Sequence, residues 1–501
     1  MIESALDGLL LVLQWKALAF MGLGILLGFW VGLLPGLGGV TTLALMLPFI
    51  YAMKPHEALA FLLGMHSVVA TTGDITSVLF GIPGESTTAA IILDGHSMAK
   101  KGEAGRALGA ALSSSLLGAL VGALALALAI PIVRPLVLAF GSPELFMLAI
   151  VGLAFIASLS GHGARGMVRG FIAGGLGLLL ATVGQDPQAG VARFTFGTLY
   201  LWQGLDIVAV LVGLFAVPEI LDLVVRGSSI AGDNTRVGKV GRGVLEGVKD
   251  TFHHFGLAIR CSLIGTFIGI TPGLGGPVAQ WMAYGHAVQS AKTEEERKGF
   301  GRGDVRGVIG PGAASNSKEG GSLIPTIAFG VPGSASMAVI LGGFFLMGLV
   351  PGPDMLTKNL AITYSMVWTI VLANIITVAA CLVFLNRLAS LTNVPGELLV
   401  PVILVLIFIG AYTANNQYGD LVVMLLCGGI GWLMVVAGWP RAPFVLGLVL
   451  GKIAENYLYI SVARYHASWL TRPIVVALFA IAVVVICYPI WQARRTRRAR
   501  A

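Results

Sequence analysis

Charged residues are missing from long stretches of this chain, and the positions left in those stretches are mostly apolar. Residues 17–53, 107–133, 261–291, 320–353, 359–386 and 473–493 contain no Asp, Glu, Lys or Arg. A helix that crosses the hydrocarbon core needs roughly 20 apolar residues. Each stretch is long enough for one crossing, and 17–53 is long enough for two. A soluble domain has no core large enough to bury so many uncharged helices. The pattern predicts an all-α integral membrane protein, a polytopic helical bundle with about 12 to 15 spans.

The apolar stretches are interrupted at matching places. The segment 32–39 (GLLPGLGG) reads against 269–276 (GITPGLGG), and Phe80-Gly81-Ile82-Pro83-Gly84 against Phe329-Gly330-Val331-Pro332-Gly333. Pro143-Glu144-Leu145 reads against Gly396-Glu397-Leu398, and Gly174-Gly175-Leu176-Gly177 against Gly428-Gly429-Ile430-Gly431. The four matches fall in the same order in both parts of the chain, which is the signature of an internal repeat. The expected organisation is a first half over 1–225, a linker over 226–255, a second half over 256–490 and a tail over 491–501. We expect the halves to be inverted with respect to each other, with one span near 469–493 lying outside the repeat.

Composition sharpens this picture. The chain has 501 residues, 56% hydrophobic and only 11% charged. Its net charge of +8 would suit nucleic acid if the basic residues formed one patch. They cluster instead in 226–260, in 292–306 and in the tail at Arg494, Arg495, Arg497, Arg498 and Arg500, beside expected spans. The positive-inside rule places those segments, including the linker and the C-terminus, in the cytoplasm. Glu3 and Asp7 precede the first basic residue, Lys16, so the N-terminus lacks the basic opening of a cleaved signal peptide.

Proline removes a backbone donor and clashes with the preceding turn, and glycine weakens a helix, so helices should break near 35–39 and 272–276. Broken backbone at membrane depth is tolerated where it is buried in protein or lines a watery cavity. Carbonyls freed at Gly36, Gly38, Gly39, Gly273, Gly275 and Gly276 could coordinate a cation, with Thr72, Asp74, Ser77 and Ser315 beside them. The alternative is a plain loop, or close helix packing through glycine. The second pair of interruptions predicts re-entrant helical hairpins at about 75–95 and 320–345. Their tips would offer backbone N–H groups and hydroxyls to a carboxylate or phosphate at Pro83, Gly84, Ser86, Thr87, Thr88, Pro332, Gly333, Ser334 and Ser336, with Asn316 nearby.

Ionisable groups within apolar stretches point to function. Asp74 is the foremost; Lys318 and Glu319 are either functional or a mutually neutralising pair. His66, His96 and His162 lack metal-ligand spacing and read as core or boundary residues, and the four cysteines read as buried small hydrophobes. Tyr412, Asn415 and Asn416 form a small polar cluster that could touch substrate. No H-E-x-x-H, G-x-S-x-G or Walker A sequence occurs, so the reading is not an enzyme and the energy source is an ion gradient or a partner.

At these same residues the chain resembles the large TctA-type subunit of tripartite tricarboxylate transporters. The likeness rests on 32–39, on 72–94 (TGDITSVLFGIPGESTTAAIILD), on 269–276, on 310–332 (GPGAASNSKEGGSLIPTIAFGVP) and on 342–353. The resemblance implies the translocation subunit of a bacterial inner-membrane importer for di- and tricarboxylates such as citrate. It also implies a small TctB-type membrane subunit, a periplasmic TctC-type binding protein, a Na⁺ or H⁺ gradient as driving force, and no cofactor. An elevator-type movement of the hairpins is the expected mechanism. A stand-alone ion-coupled carrier, a channel, and a membrane scaffold or receptor are the alternatives.

Overall fold

The computed structural model describes residues 1–32, 38–81, 83–159, 163–186, 188–226, 243–272, 274–391 and 396–498. Gly36, Gly273 and His162 lie outside the described residues, as does the side chain of Ser86. The chain is helical nearly throughout. The first part holds α1 (Ile2–Leu13), α2 (Trp15–Gly32), α3 (Gly39–Met46), α4 (Pro55–Phe80), α5 (Ile92–Lys100), α6 (Ala104–Leu138), α7 (Ser142–Leu159), α8 (Gly163–Ala181) and α9 (Ile207–Arg226). The second holds α10 (Val244–His253), α11 (Phe255–Ile270), α12 (Gly275–Gln289), α13 (Glu294–Gly299), α14 (Arg306–Phe329), α15 (Ala335–Leu346), α16 (Leu360–Leu391), α17 (Gly396–Asn415), α18 (Tyr418–Val436), α19 (Arg441–Tyr465) and α20 (Pro473–Arg498). A two-residue antiparallel ladder, β1 (Gly184–Gln185) with β2 (Ala192–Arg193), closes the loop before α9.

Among the described residues six helices are long and apolar enough to cross a membrane, or seven if α10 and α11, bent by 79°, count as one broken span. Six further apolar helical segments, Ile207–Leu221 and Ala335–Leu346 among them, run for 10–17 described residues. Pro and Gly divide the charge-free stretch 261–291 between α11 and α12.

The outer faces of the bundle are apolar and exposed. On α6, Leu124, Leu128 and Ile132 recur at every fourth position, and on α18 Val422, Leu425, Leu426, Leu433 and Val436 form a similar face. Such faces match lipid rather than water. Inside, α4 is wholly buried from His56 to Leu79 and α14 from Gly307 to Ala328. Cys261, Cys381 and Cys427 are buried as expected, whereas Cys487 on the outer helix α20 is exposed.

Packing partners recur in pairs. Helix α2 lies along α4 and α11 along α14; α6 packs on α14 and α16 on α4. Likewise α1 packs on α16 and α10 on α6; α8 on α19 and α18 on α9; α7 on α19 and α17 on α9. The partners of each pair come from opposite parts of the chain in all but the first of these relationships. Small residues set the closest approaches. A Cβ at Gly24, Gly28 or Gly32 would strike the backbone carbonyls of Phe61, Met65 and Val69, and one at Gly265 or Gly269 those of Ala314 and Lys318. The spacing of four puts these glycines on one face, the arrangement that lets membrane helices approach closely.

Candidate functional site

Helix α4 begins with Pro55 at its first position and ends at Gly81, whose φ of 68° only glycine adopts without strain. Helix α14 ends the same way at Gly330, also with φ 68°. These stops come after 26 and 24 residues. The arm before each tip is therefore a full-length helix, not the short half-helix expected. After the tips the two parts diverge: α5 returns along α4, while α15 packs mainly on α3 and α19 and touches α14 less.

Each tip rests on the helix that precedes a Pro-Gly break. A Cβ at Gly84 would meet the Gly32 carbonyl at 3.0 Å and Gly73 Cα at 2.6 Å; one at Gly333 would collide with the Gly269 carbonyl and meet Ser322 Cα at 2.8 Å. Only glycine fits at either place. The last residues of α2 and α11 described before the two Pro-Gly elements are thus in contact with the tips. The far sides of the breaks converge too: Gly39 faces His66 and Glu85, and Gly276 faces Thr87 and the Lys318 side chain.

Around those glycines lies a buried charged cluster. Glu319 bonds Lys318 at 2.6 Å and faces His66 Nε2 at 3.1 Å, each side chain no more than 6% exposed. Thr87 donates its hydroxyl to Glu85 at 3.2 Å. His66, set aside in the sequence for want of metal-ligand spacing, sits at the centre; its partner Glu319 is in the other half, and nothing local marked the pairing. Among the described residues no three His, Cys, Asp or Glu side chains gather to hold a metal.

Asp74 is fully buried, and neither carboxylate oxygen has a hydrogen-bond partner among the described residues. Glu85 and Cys381 are its electrostatic neighbours. Such a carboxylate is costly unless something neutralises it. Asn316 lies elsewhere: its Nδ2 is 2.8 Å from each of Thr71 Oγ1, Ser115 Oγ and Asn374 Oδ1, knotting α14 to α4, α6 and α16. Two amide protons serve three acceptors there.

Several expected hydroxyls already have local roles. Ser77 donates to the Gly73 carbonyl at 2.9 Å or to Thr88 at 2.8 Å, Thr88 to the Glu85 carbonyl at 2.9 Å and Thr72 to the Val68 carbonyl at 2.9 Å. Ser334 caps α15 by accepting from Met337 N at 3.3 Å, while Ser336 and Ser315 are buried.

A cavity of about 490 Å³ opens beside the first tip, with Gly38, Pro83, Gly84 and Glu85 on one side and Phe215, Glu219 and Arg441 on the other. Its size suits a small organic ligand. Arg441 and Glu219 were not singled out in the sequence; they are 222 residues apart and adjoin only because α19 and α9 meet here. Pro332 and Gly333 are not among the lining residues, although Ala335 at the start of α15 is. A second cavity of about 320 Å³ lies at the other end of α9, lined by Asp206, Asp420, Lys452, Tyr200 and Asn415. Asn415 thus borders a cavity, but not the one beside the tip.

Comparison with known proteins agrees along most of the chain. The family described as "Tripartite tricarboxylate transporter TctA family" matches residues 18–446. An Agrobacterium vitis protein, "Uncharacterized 52.8 kDa protein in TAR-I ttuC′ 3′region", is 34% identical over 480 residues, which is 95% of this chain and 93% of that protein. A second from the same organism, "Uncharacterized protein in TAR-II ttuC′ 3′region", is 30% identical over 237 residues, 47% of this chain and 97% of its own length. No solved structure matches.

Proposed function

Because the chain belongs to the tripartite tricarboxylate transporter TctA family, we propose that it is the translocation subunit of a binding-protein-dependent importer of small di- and tricarboxylates. A TctB-type membrane subunit and a periplasmic TctC-type binding protein complete the system, and a Na⁺ or H⁺ gradient across the bacterial inner membrane drives it. The observation that carries the reading is the cavity in which a glycine tip, a broken helix and an arginine meet.

The charges argue for coupling to a cation. Among the described residues the cavity is lined by one guanidinium, Arg441, and two carboxylates, Glu85 and Glu219. A dicarboxylate entering such a space is repelled by both carboxylates, and a cation or proton that enters with it offsets that repulsion. Asp74, buried without a hydrogen-bond partner among the described residues, is the site we assign to that cation, together with carbonyls near Gly38, Gly39, Gly275 and Gly276. The paired packing of helices supports reading the halves as inverted repeats. The glycine contacts that lock tips to breaks support an elevator in which α2–α5 and α11–α15 travel together.

The test is uptake of labelled citrate and succinate into proteoliposomes holding the chain and its small subunit, with and without the binding protein, under imposed Na⁺ or proton gradients. Uptake that needs the binding protein and one gradient supports the reading and names the ion. Uptake without the binding protein makes the chain a stand-alone carrier, and no uptake under any gradient sinks the transport assignment.

A further inference from the structure

Resting on the carboxylate reading above, we propose that Arg441 is the residue that grips a carboxylate of the substrate, and that Glu219 competes with the substrate for it. Both side chains line the cavity beside the first tip. The guanidinium is anchored on two sides: its Nη1 donates to the Leu214 carbonyl at 3.0 Å, and its Cζ lies 5.0 Å from the centre of the Phe215 ring. Such anchoring limits the motion of the fork that a carboxylate matches.

The contact with Glu219 is loose by the standard of this molecule. Arg441 Nη2 is 3.4 Å from Glu219 Oε1. Arg472 with Glu144 and Arg193 with Glu455 are both 2.6 Å apart. Charge-assisted N–H···O bonds settle at about 2.7–2.9 Å, so the Arg441–Glu219 pair is well short of a closed bidentate bond. Arg441 and Glu219 keep 20% and 26% of their side-chain surface exposed, and both line the cavity. A ligand can therefore reach the pair that a structural ion pair would seal.

The backbone favours the same ligand. Helix α19 starts at Arg441 behind Pro440, with no side-chain cap on its first turn, and Pro440, Arg441 and Ala442 all border the cavity. The positive end of that helix adds to the guanidinium. An arriving carboxylate takes the place of Glu219 on Arg441 while its far end lies towards Gly84 and the tip.

The two residues then have opposite effects on affinity, which a structural ion pair would not produce. In cells expressing the whole chain with its small subunit and binding protein, Arg441→Gln should raise the citrate KM about tenfold or more, and Arg441→Lys should raise it less. Glu219→Gln, by removing the competitor, should lower the KM severalfold. Calorimetry of the detergent-purified full chain with citrate should give the same order of affinities. A citrate KM unchanged in Arg441→Gln, with normal wild-type uptake, overturns the assignment alone. If Arg441→Gln fails to reach the membrane, Glu219→Gln carries the test, and a raised or unchanged KM there overturns it. Wild-type cells that take up neither citrate nor succinate overturn the transport reading and this assignment with it.

Discussion

His66 on α4 and Glu319 on α14 face each other across the centre of the molecule, Nε2 and Oε2 3.1 Å apart, while Lys318 holds the other carboxylate oxygen at 2.6 Å. Burying charge this deeply is expensive even when it is paired, and well-packed apolar residues are often as stable. The triad therefore needs a reason beyond stability. Its place between Gly39 and Gly276, where both breaks converge, supplies one.

Glu319→Gln should lower stability by about 3–5 kcal/mol, because Lys318 is left buried without its counter-charge. The double variant Lys318→Met with Glu319→Leu should recover most of that loss in a detergent unfolding assay. Uptake should stay abolished in both. Normal transport by the double variant would make the pair purely structural.

Asp74→Asn should move stability and activity in opposite directions. Removing a buried carboxylate that lacks hydrogen-bond partners should stabilise the fold by about 1–3 kcal/mol. Uptake should fall at least tenfold and lose its dependence on the driving cation, as expected of an ionisable group kept in the membrane for function. Uptake against cation concentration, measured beside thermal unfolding, tests both halves.

Two glycines of α2 should respond oppositely to a side chain. Around Gly22 a Cβ meets nothing within 4 Å, whereas at Gly28 it meets Val68 Cβ at 3.0 Å and the Met65 carbonyl more closely still. Gly22→Ala should stabilise by about 0.5–1 kcal/mol through helix propensity. Gly28→Val should cost about 3 kcal/mol or prevent assembly, visible as lost membrane accumulation.

Ser334 offers a charge test. Ser334→Ala removes the cap on Met337 N and should cost about 1 kcal/mol. Ser334→Asp keeps a good cap but adds a negative charge next to Ala335 on the cavity wall. It should fold normally and transport anions poorly; full uptake of citrate by this variant would argue against an anion passing the tip.

Chain order and punctuation were legible in the sequence; pairing was not. The Gly-x-Pro-Gly segments mark the left-handed stops at Gly81 and Gly330, and the second Pro-Gly element marks where α11 ends. These are local effects of backbone chemistry. Arg441 and Glu219 escaped notice, and His66 was set aside, because each gains its meaning from a helix far away in the chain. Arg441 follows Gly438-Trp439-Pro440 and looks like an ordinary charge at the edge of a span. Ser77 and Thr88 looked like free ligands because the sequence does not say which hydroxyls the nearby carbonyls will take.

The exchange of partners between the two parts sets a clock on biosynthesis. Helix α4 rests on α16, whose first residue, Leu360, is made roughly 300 residues after α4 begins at Pro55. At about 5–20 residues per second, that is a wait of about 15–60 s. Throughout it, Asp74 already stands on α4 while α16, which carries its neighbour Cys381, is still to be made. A lesion in α16 would therefore first be felt as degradation of the newborn chain, before any question of transport arises.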